Sequence, residues 1–261
     1  MSGAIPIGPG QLALASGFLA AAAGLSLALA LGLTRSILAA AARAYVQLLA
    51  LGFVLRWVFG VGTPWLVLGI LGGMIVVAAQ TLTARLRGAP PGLFLRGLGA
   101  LAVSGFTVTL AVTALVVRVD PWWEPRYVIP IGGMVIGNSL NGVAVCLDRL
   151  FADLRSRTRE IEALLALGAT PWETVLPSAR SALRAGLIPT LNSMAAAGIV
   201  FIPGMMTGQV LSGTDPRVAA AYQIVVLLMI SAATAVGSVL SLVAGYRRAF
   251  DREGRFVLGD G

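Results

Sequence analysis

Side-chain amides stand inside otherwise apolar stretches of this chain, among them Gln47, Gln80, Asn138, Asn141, Asn192, Gln209 and Gln223. In a membrane such groups are costly unless they are paired or used, which makes them the first places to look for a solute path. Two of them close a short quasi-repeat. Gly133-Met134-Val135-Ile136-Gly137-Asn138 and Gly204-Met205-Met206-Thr207-Gly208-Gln209 share the form Gly-Met-x-x-Gly-amide, and each follows a proline, Pro130 and Pro203. Thioether sulfur, amide oxygen and the carbonyls freed by proline are donors for a weakly held cation or polar solute. On that reading Met134, Asn138, Asn141, Asn192, Met205, Met206 and Gln209 are candidates for a translocation path. The same small-x-x-x-small spacing also lets two helices approach closely, with amides paired across the contact and methionine filling gaps. Packing and path therefore stand side by side.

Other chemistries are excluded by what is missing. All 19 basic residues are Arg, there is no His, and Cys146 is the single cysteine. A P-loop needs its Lys, a His-Glu-x-x-His zinc site needs two His, and a Ser-His-Asp triad needs one. Cys146 sits among apolar residues and is expected to be a small core side chain. No metal-ligand set can be named, and the lack of His and of carboxylates within the apolar stretches weighs against a tight divalent site. Nucleic acid is not an expected partner, because the positive charge follows a membrane pattern.

The elements that must position these residues are transmembrane helices. Hydrophobic residues make up 57% of the 261 and charged residues 11%, and the mean hydropathy is +0.89. A bilayer core of about 30 Å needs about 20 apolar residues in a helix. Stretches of that kind run Ser2 to Thr34, Pro64 to Ala84, Gly97 to Val117, Tyr127 to Leu147, Ala185 to Thr214 and Val218 to Tyr246. A further segment, Ala44 to Val61, carries Arg56 near one end, where a guanidinium reaches the headgroups. The expected fold is thus an all-α integral membrane protein of about seven transmembrane helices, one permease domain over residues 1–261. The first apolar run is read as a retained span rather than a cleaved leader.

Arginine sets the orientation. Arg35, Arg43, Arg85, Arg87, Arg96, the six from Arg149 to Arg184 and the four from Arg247 to Arg255 fall on one side; Arg56, Arg118, Arg126 and Arg217 fall on the other. Fifteen against four places the N-terminus outside and the C-terminus in the cytoplasm. Trp57, Trp65, Trp122, Trp123 and Tyr127 all lie at expected outer ends, the preferred zone for amphipathic rings. The tail from Tyr246 reads as a stop-transfer patch on anionic lipid.

The long connection, residues 148–184, is expected to be a cytoplasmic helix-turn-helix. Leu147, Leu150, Phe151, Leu154, Ile161, Leu164 and Leu165 recur at helical spacing, with charged residues on the other face. Asp153 and Arg157 are spaced for an i,i+4 pair. Gly168 suits a left-handed helix end, Thr170-Pro171-Trp172-Glu173 reads as a capping box with proline at the first helical position, and Pro177 should bend or restart the second helix. An interfacial helix lying on anionic lipid is the competing reading.

This segment also carries a resemblance. Glu162-Ala163-Leu164-Leu165-Ala166-Leu167-Gly168-Ala169-Thr170-Pro171-Trp172 resembles the coupling loop of ABC transporter permeases, departing at Leu164 and at an early Leu176-Pro177. Arg159-Glu160-Ile161-Glu162, Ile188-Pro189-Thr190, Pro203 to Gln209 and Tyr222-Gln223-Ile224 extend the similarity to the FetB-type permeases, over about Tyr127 to Val243. The resemblance implies the permease subunit of an ABC exporter, a homodimer in the cell inner membrane, moving a metal ion such as iron. It implies no enzymatic activity and no cofactor on this chain, with ATP held by a separate ATP-binding subunit. Glu160, Glu162, Gly168, Ala169, Thr170, Pro171 and Trp172 would meet that subunit. Weak binding along the path suits export, since a tightly held solute would not leave. An ABC permease for a nucleotide sugar or other polar organic solute, and a channel or secondary transporter without an ATPase, remain alternatives.

Overall fold

The computed structural model describes residues 5, 7–86, 92–251 and 253–258. Ser2, where the first expected span begins, and Arg87 and Arg252, both counted in the charge asymmetry, lie outside the described residues. Among the described residues the chain is helical: α1 (Pro9–Ala28), α2 (Thr34–Val61), α3 (Pro64–Arg85), α4 (Leu93–Ala111) continued by a π-helical turn (Val112–Val116), α5 (Pro125–Ser156), α6 (Thr158–Ala166), α7 (Pro171–Ala196), α8 (Gly204–Leu211) and α9 (Pro216–Tyr246). Proline opens α1, α3, α5, α7 and α9 at a first-turn position, where its missing N–H costs nothing. α1, α2, α3, α4 with its π turn, α5 and α9 are long and apolar enough to cross a membrane.

Several boundaries differ from the sequence expectation, the first span among them, which ends at Ala28 rather than Thr34. α2 begins at Thr34 rather than near Ala44, taking Arg35 and Arg43 into the helix. α5 does not stop at Leu147; it runs on through Ser156, so Leu150, Phe151 and Leu154 are buried on the spanning helix itself. α7 is continuous through Pro177 and Pro189, each of which leaves one carbonyl of the preceding turn without its helical donor. The Ala185 to Thr214 stretch is accordingly two helices, α7 and α8, separated by a tight turn. Gly198 takes φ +79°, its N–H donates to the Phe201 carbonyl at 2.9 Å, and Pro203 caps α8.

α5 and α9 form the spine. Side-by-side residues such as Gly142 with Thr234 and Leu147 with Gly245 show that they run parallel, while α4 and α7 pack against them in the opposite sense. The closest approach joins three helices. A Cβ on Gly186 of α7 would lie 2.7 Å from the Gly142 carbonyl oxygen of α5 and 2.9 Å from Cys146 Cβ, and one on Gly142 would overlap Thr234 of α9. Cys146 is buried there, as expected of a small core residue. By contrast α1 and α2 pair mainly with each other, and among the described residues the main contact of this hairpin with the rest joins α2 to α5. The Ser16 and Tyr45 hydroxyls bond at 2.8 Å across that hairpin.

Candidate functional site

Two regions hold the residues that sequence reasoning singled out. The first is the helical turn at one end of the bundle. α5 breaks at Arg157, which is at once its C-cap and the N-cap of α6. The break has a visible cause. The Arg157 guanidinium donates Nε to Glu160 Oε2 at 2.9 Å and Nη2 to Oε1 at 2.6 Å, while Nη1 reaches Ser178 Oγ on α7 at 2.7 Å. One side chain thus ties the start of α6 to the helix that follows. The pairing differs from the expected Asp153–Arg157 contact: Asp153 takes Arg149 instead, at 3.1 Å. Glu160 is therefore committed within the chain. Glu162 is exposed and, among the described residues, has no intramolecular partner.

α6 ends in a Schellman motif. The Ala169 N–H donates to the Leu164 carbonyl and the Gly168 N–H to that of Leu165, both at 3.0 Å, with Gly168 at φ +91°. One residue on, the capping box closes: Thr170 N and Oγ1 both donate to Glu173 Oε2 at 2.7 Å, and Glu173 N donates back to Thr170 Oγ1. Trp172 sits against Tyr246, ring centroids 5.1 Å apart.

The tail after α9 is not a loose basic patch. Ala249 and Phe250 are buried, Val257 N donates to the Ala249 carbonyl at 2.8 Å, and Phe250 meets Phe256 edge-on at 5.5 Å. Asp251 Oδ1 accepts from Glu253 N and Arg255 N at 2.8 Å each, closing the turn. The apolar residues that spread through this tail drive the packing, and the arginines alone had suggested a lipid contact.

Both carboxyls of the turn are held below the usual Glu range, Glu160 by hydrogen bonds from Arg157 and Glu173 by the Thr170 N–H and hydroxyl. A depressed folded-state value means that each contributes stability above the unfolded value and loses it as pH falls through the folded one. Amide exchange over residues 158–174, corrected for intrinsic rate, should therefore stay slow from neutrality to about pH 4 and accelerate below it. Glu160→Gln with Glu173→Gln should show the faster exchange already at pH 7.

The second region is a cleft of about 170 Å³ between α5, α7 and α9, lined by Asn138, Asn141, Pro189, Thr190 and Ser193 together with apolar Val145, Leu227 and Ile230. Asn138 Nδ2 donates to the Met134 carbonyl at 2.8 Å, which leaves its Oδ1 free. Asn141 Oδ1 accepts from Arg85 Nη1 at 2.8 Å. Ser193 Oγ donates to the Pro189 carbonyl at 3.0 Å, and Pro189 itself leaves the Ala185 carbonyl without its helical donor. The cleft thus offers neutral oxygens, a set suited to weak, exchangeable contacts.

The other path candidates are dispersed. Met134 and Met205 pack against one apolar cluster built on Val135, Val226 and Met229. Asn192 is exposed on α7 outside the cleft lining, and Met206 and Gln209 sit on α8. The two Gly-Met-x-x-Gly-amide runs do not interlock. Gly137, Gly204 and Gly208 have nothing within 4 Å of an added Cβ, and Gly133 approaches Met74 Cε of α3, at 3.1 Å, so the two runs do not form a close glycine contact with each other within this chain. The close contact uses Gly142 and Gly186, which sequence reasoning passed over. Missed as well were Thr190, Ser193 and a run of buried hydroxyls on α9, Thr234, Ser238 and Ser241, legible as an i, i+4, i+7 stripe had hydroxyls been searched along with amides.

Relatives give this geometry a context. The chain is 37% identical over 230 residues to the UPF0014 membrane protein slr1647 of Synechocystis sp., covering 87% of this chain and 88% of that one. It is 36% identical over 212 residues to the protein ALUMINUM SENSITIVE 3 of Arabidopsis thaliana, 81% of this chain and 76% of that one. It is 32% identical over 228 residues to the "Probable iron export permease protein FetB" of Escherichia coli, 87% and 86%. No solved structure matches. Residues 9–250 fit the model described as "Uncharacterised protein family (UPF0014)", and with six apolar helices of spanning length the chain is a multi-pass membrane protein belonging to that family.

Proposed function

We propose that this chain is the membrane-spanning permease subunit of an ABC exporter, acting as a homodimer in the cytoplasmic membrane with two copies of a separate ATP-binding subunit. The observation that carries this reading is the α6–turn–α7 unit. It is fixed at both helix ends by a Schellman motif and a capping box and riveted to α7 by Arg157, which makes it a rigid lever rather than a lipid-lying helix. ATP binding and hydrolysis belong to the partner, and this chain is a transport subunit rather than an enzyme.

The helix senses favour seven crossings. α1, α3, α5 and α9 run one way and α2, α4 and α7 the other, so α7 with α8 supplies the sixth crossing as a broken one. The arginine asymmetry then sets the N-terminus outside and α6 in the cytoplasm. The cargo is a metal ion, with iron favoured by similarity to the Escherichia coli relative. It passes the cleft of Asn138 and Asn141, where the free Asn138 Oδ1 is a neutral oxygen that releases what it binds, while Asn141 Oδ1 is held by Arg85.

Co-expression with the ATP-binding subunit and capture of the complex tests the class: wild type should retain the ATPase, and a wild type that retains none would defeat the ABC reading in favour of a channel or secondary transporter. Stimulation of ATP hydrolysis in liposomes tests the cargo. Metal ions should stimulate, and Asn138→Ala with Asn141→Ala should lower transport severalfold while leaving complex assembly intact. Stimulation by nucleotide sugars alone would overturn the metal assignment.

A further inference from the structure

The turn between α6 and α7 does not stand alone at its end of the bundle. A concave pocket of about 470 Å³ opens beside it, with one wall from Glu162, Leu165, Ala169 and Pro171 and the other from Glu253, Gly254, Arg255 and Phe256. Half of the pocket therefore comes from the chain after α9. That half is pre-formed: Asp251 closes its turn, Phe250 and Phe256 anchor it, and Gly254 lies close enough for an added Cβ to touch Pro171 Cγ at 3.7 Å.

We propose that the tail hairpin is the second wall of the ATPase docking site, and that the composite pocket receives a basic side chain of the ATP-binding subunit. This rests on the ABC reading given above. The chemistry of the walls selects the occupant. Among the described residues Glu162 has no partner, and Glu253 is paired with Arg255 alone, at 2.7 Å in an exposed pair. Among the described lining residues two carboxylates stand against one guanidinium, a balance that favours a cationic occupant. Leu165, Pro171 and Phe256 line it with apolar surface suited to the alkyl stem of arginine or lysine, with the cationic head meeting Glu162. An anionic lipid headgroup would be repelled by the same walls, which sets this surface apart from the basic face that α5 and α7 present through Arg149, Arg180 and Arg184.

The tail also gives the docked subunit a second line into the membrane. Movement at the pocket would act on α7 through Pro171 and, through Tyr246 and its contact with Trp172, on α9.

The test uses the full chain with its co-expressed ATPase. Glu253 lies on an exposed turn, so Glu253→Arg should fold with an unchanged Tm in detergent, yet weaken ATPase capture about tenfold, as Glu162→Arg should. Because Cys146 is the single cysteine and is buried, Glu253→Cys can carry a photoactivatable maleimide, and illumination should join the tail to the ATPase. Retention of the ATPase by wild type, its loss in Glu162→Arg, and unchanged affinity of Glu253→Arg with no cross-link from position 253 would overturn the tail assignment while leaving the coupling turn in place. A wild type that retains no ATPase removes both.

Discussion

Gly186→Leu should abolish the folded bundle, with a loss of at least about 3 kcal/mol, the upper part of the overpacking range. The position leaves no room to yield. A Cβ there would stand 2.7 Å from a backbone oxygen of α5 and 2.9 Å from Cys146 Cβ, so α5 and α7 must separate rather than a side chain turn aside. Gly142→Val should do the same from the other helix, against Thr234 and the Gly186 carbonyl. In lipid, helix association depends on such close packing, because burying apolar surface gains little against acyl chains. Gly137→Leu, five residues from Gly142 and with nothing within 4 Å, is the control and should leave monomer stability unchanged. Fluorescence-detected size exclusion after a heating series separates the two: equal losses at Gly137 and Gly186 would contradict the three-helix junction. A Gly137 variant that keeps its monomer but loses its dimer would instead place the repeat at the contact between copies.

At Gly168 the expected result is a graded loss of ATP-driven transport in the order Asn, Ala, Val, Pro, with folding retained throughout. Space is not the obstacle, since nothing lies within 4 Å of an added Cβ. Conformation is. At φ +91° an L side chain is strained by about 1–2 kcal/mol; asparagine tolerates the region best, and a β-branched residue tolerates it worst of those that keep the N–H. Proline cannot adopt that φ and also removes the N–H that donates to the Leu165 carbonyl. A turn opened in this way re-aims Glu162 and Pro171 relative to the docked subunit. Transport per ATP hydrolysed is the readout, and a Gly168→Pro protein that couples normally would show that the turn does not transmit force.

Some of this architecture could be read from the chain and some could not, for identifiable reasons. Six spanning helices announce themselves through hydropathy, and the coupling turn through Gly168, the Thr170-Pro171-x-Glu173 box and proline placement, all local signals. α7 is harder to see because Arg180, Arg184, Pro177 and Pro189 mask a helix that packs on α5 along much of its length. The break after Ala196 is signalled by Gly198 and Pro203, residues that a continuous transmembrane helix also tolerates. The pairing of Gly142 with Gly186 spans 44 positions in sequence and fits no local spacing rule. In the cleft the amides were visible, but Thr190 and Ser193 join them only through the antiparallel register of α5 and α7. Glu160 shows the opposite limit: its carboxylate looked available until Arg157, three residues away, proved to hold it.

The thin attachment of α1 and α2 bears on how the protein is made. Emerging from the ribosome before the spine, this hairpin completes its own contacts and has little to wait for. The spine follows a different clock. α5 is synthesised some ninety residues before the part of α9 that covers it, as the Gly142–Thr234 and Leu147–Gly245 neighbours show, and until then Ser104 on α4, fully buried beside Gly237 in the finished bundle, faces lipid or water. α9 therefore closes the core, and a chain stalled before it would hold inserted helices but no finished bundle. Quality control acting on such a nascent chain would find an exposed hydroxyl at its centre and a settled hairpin at its edge.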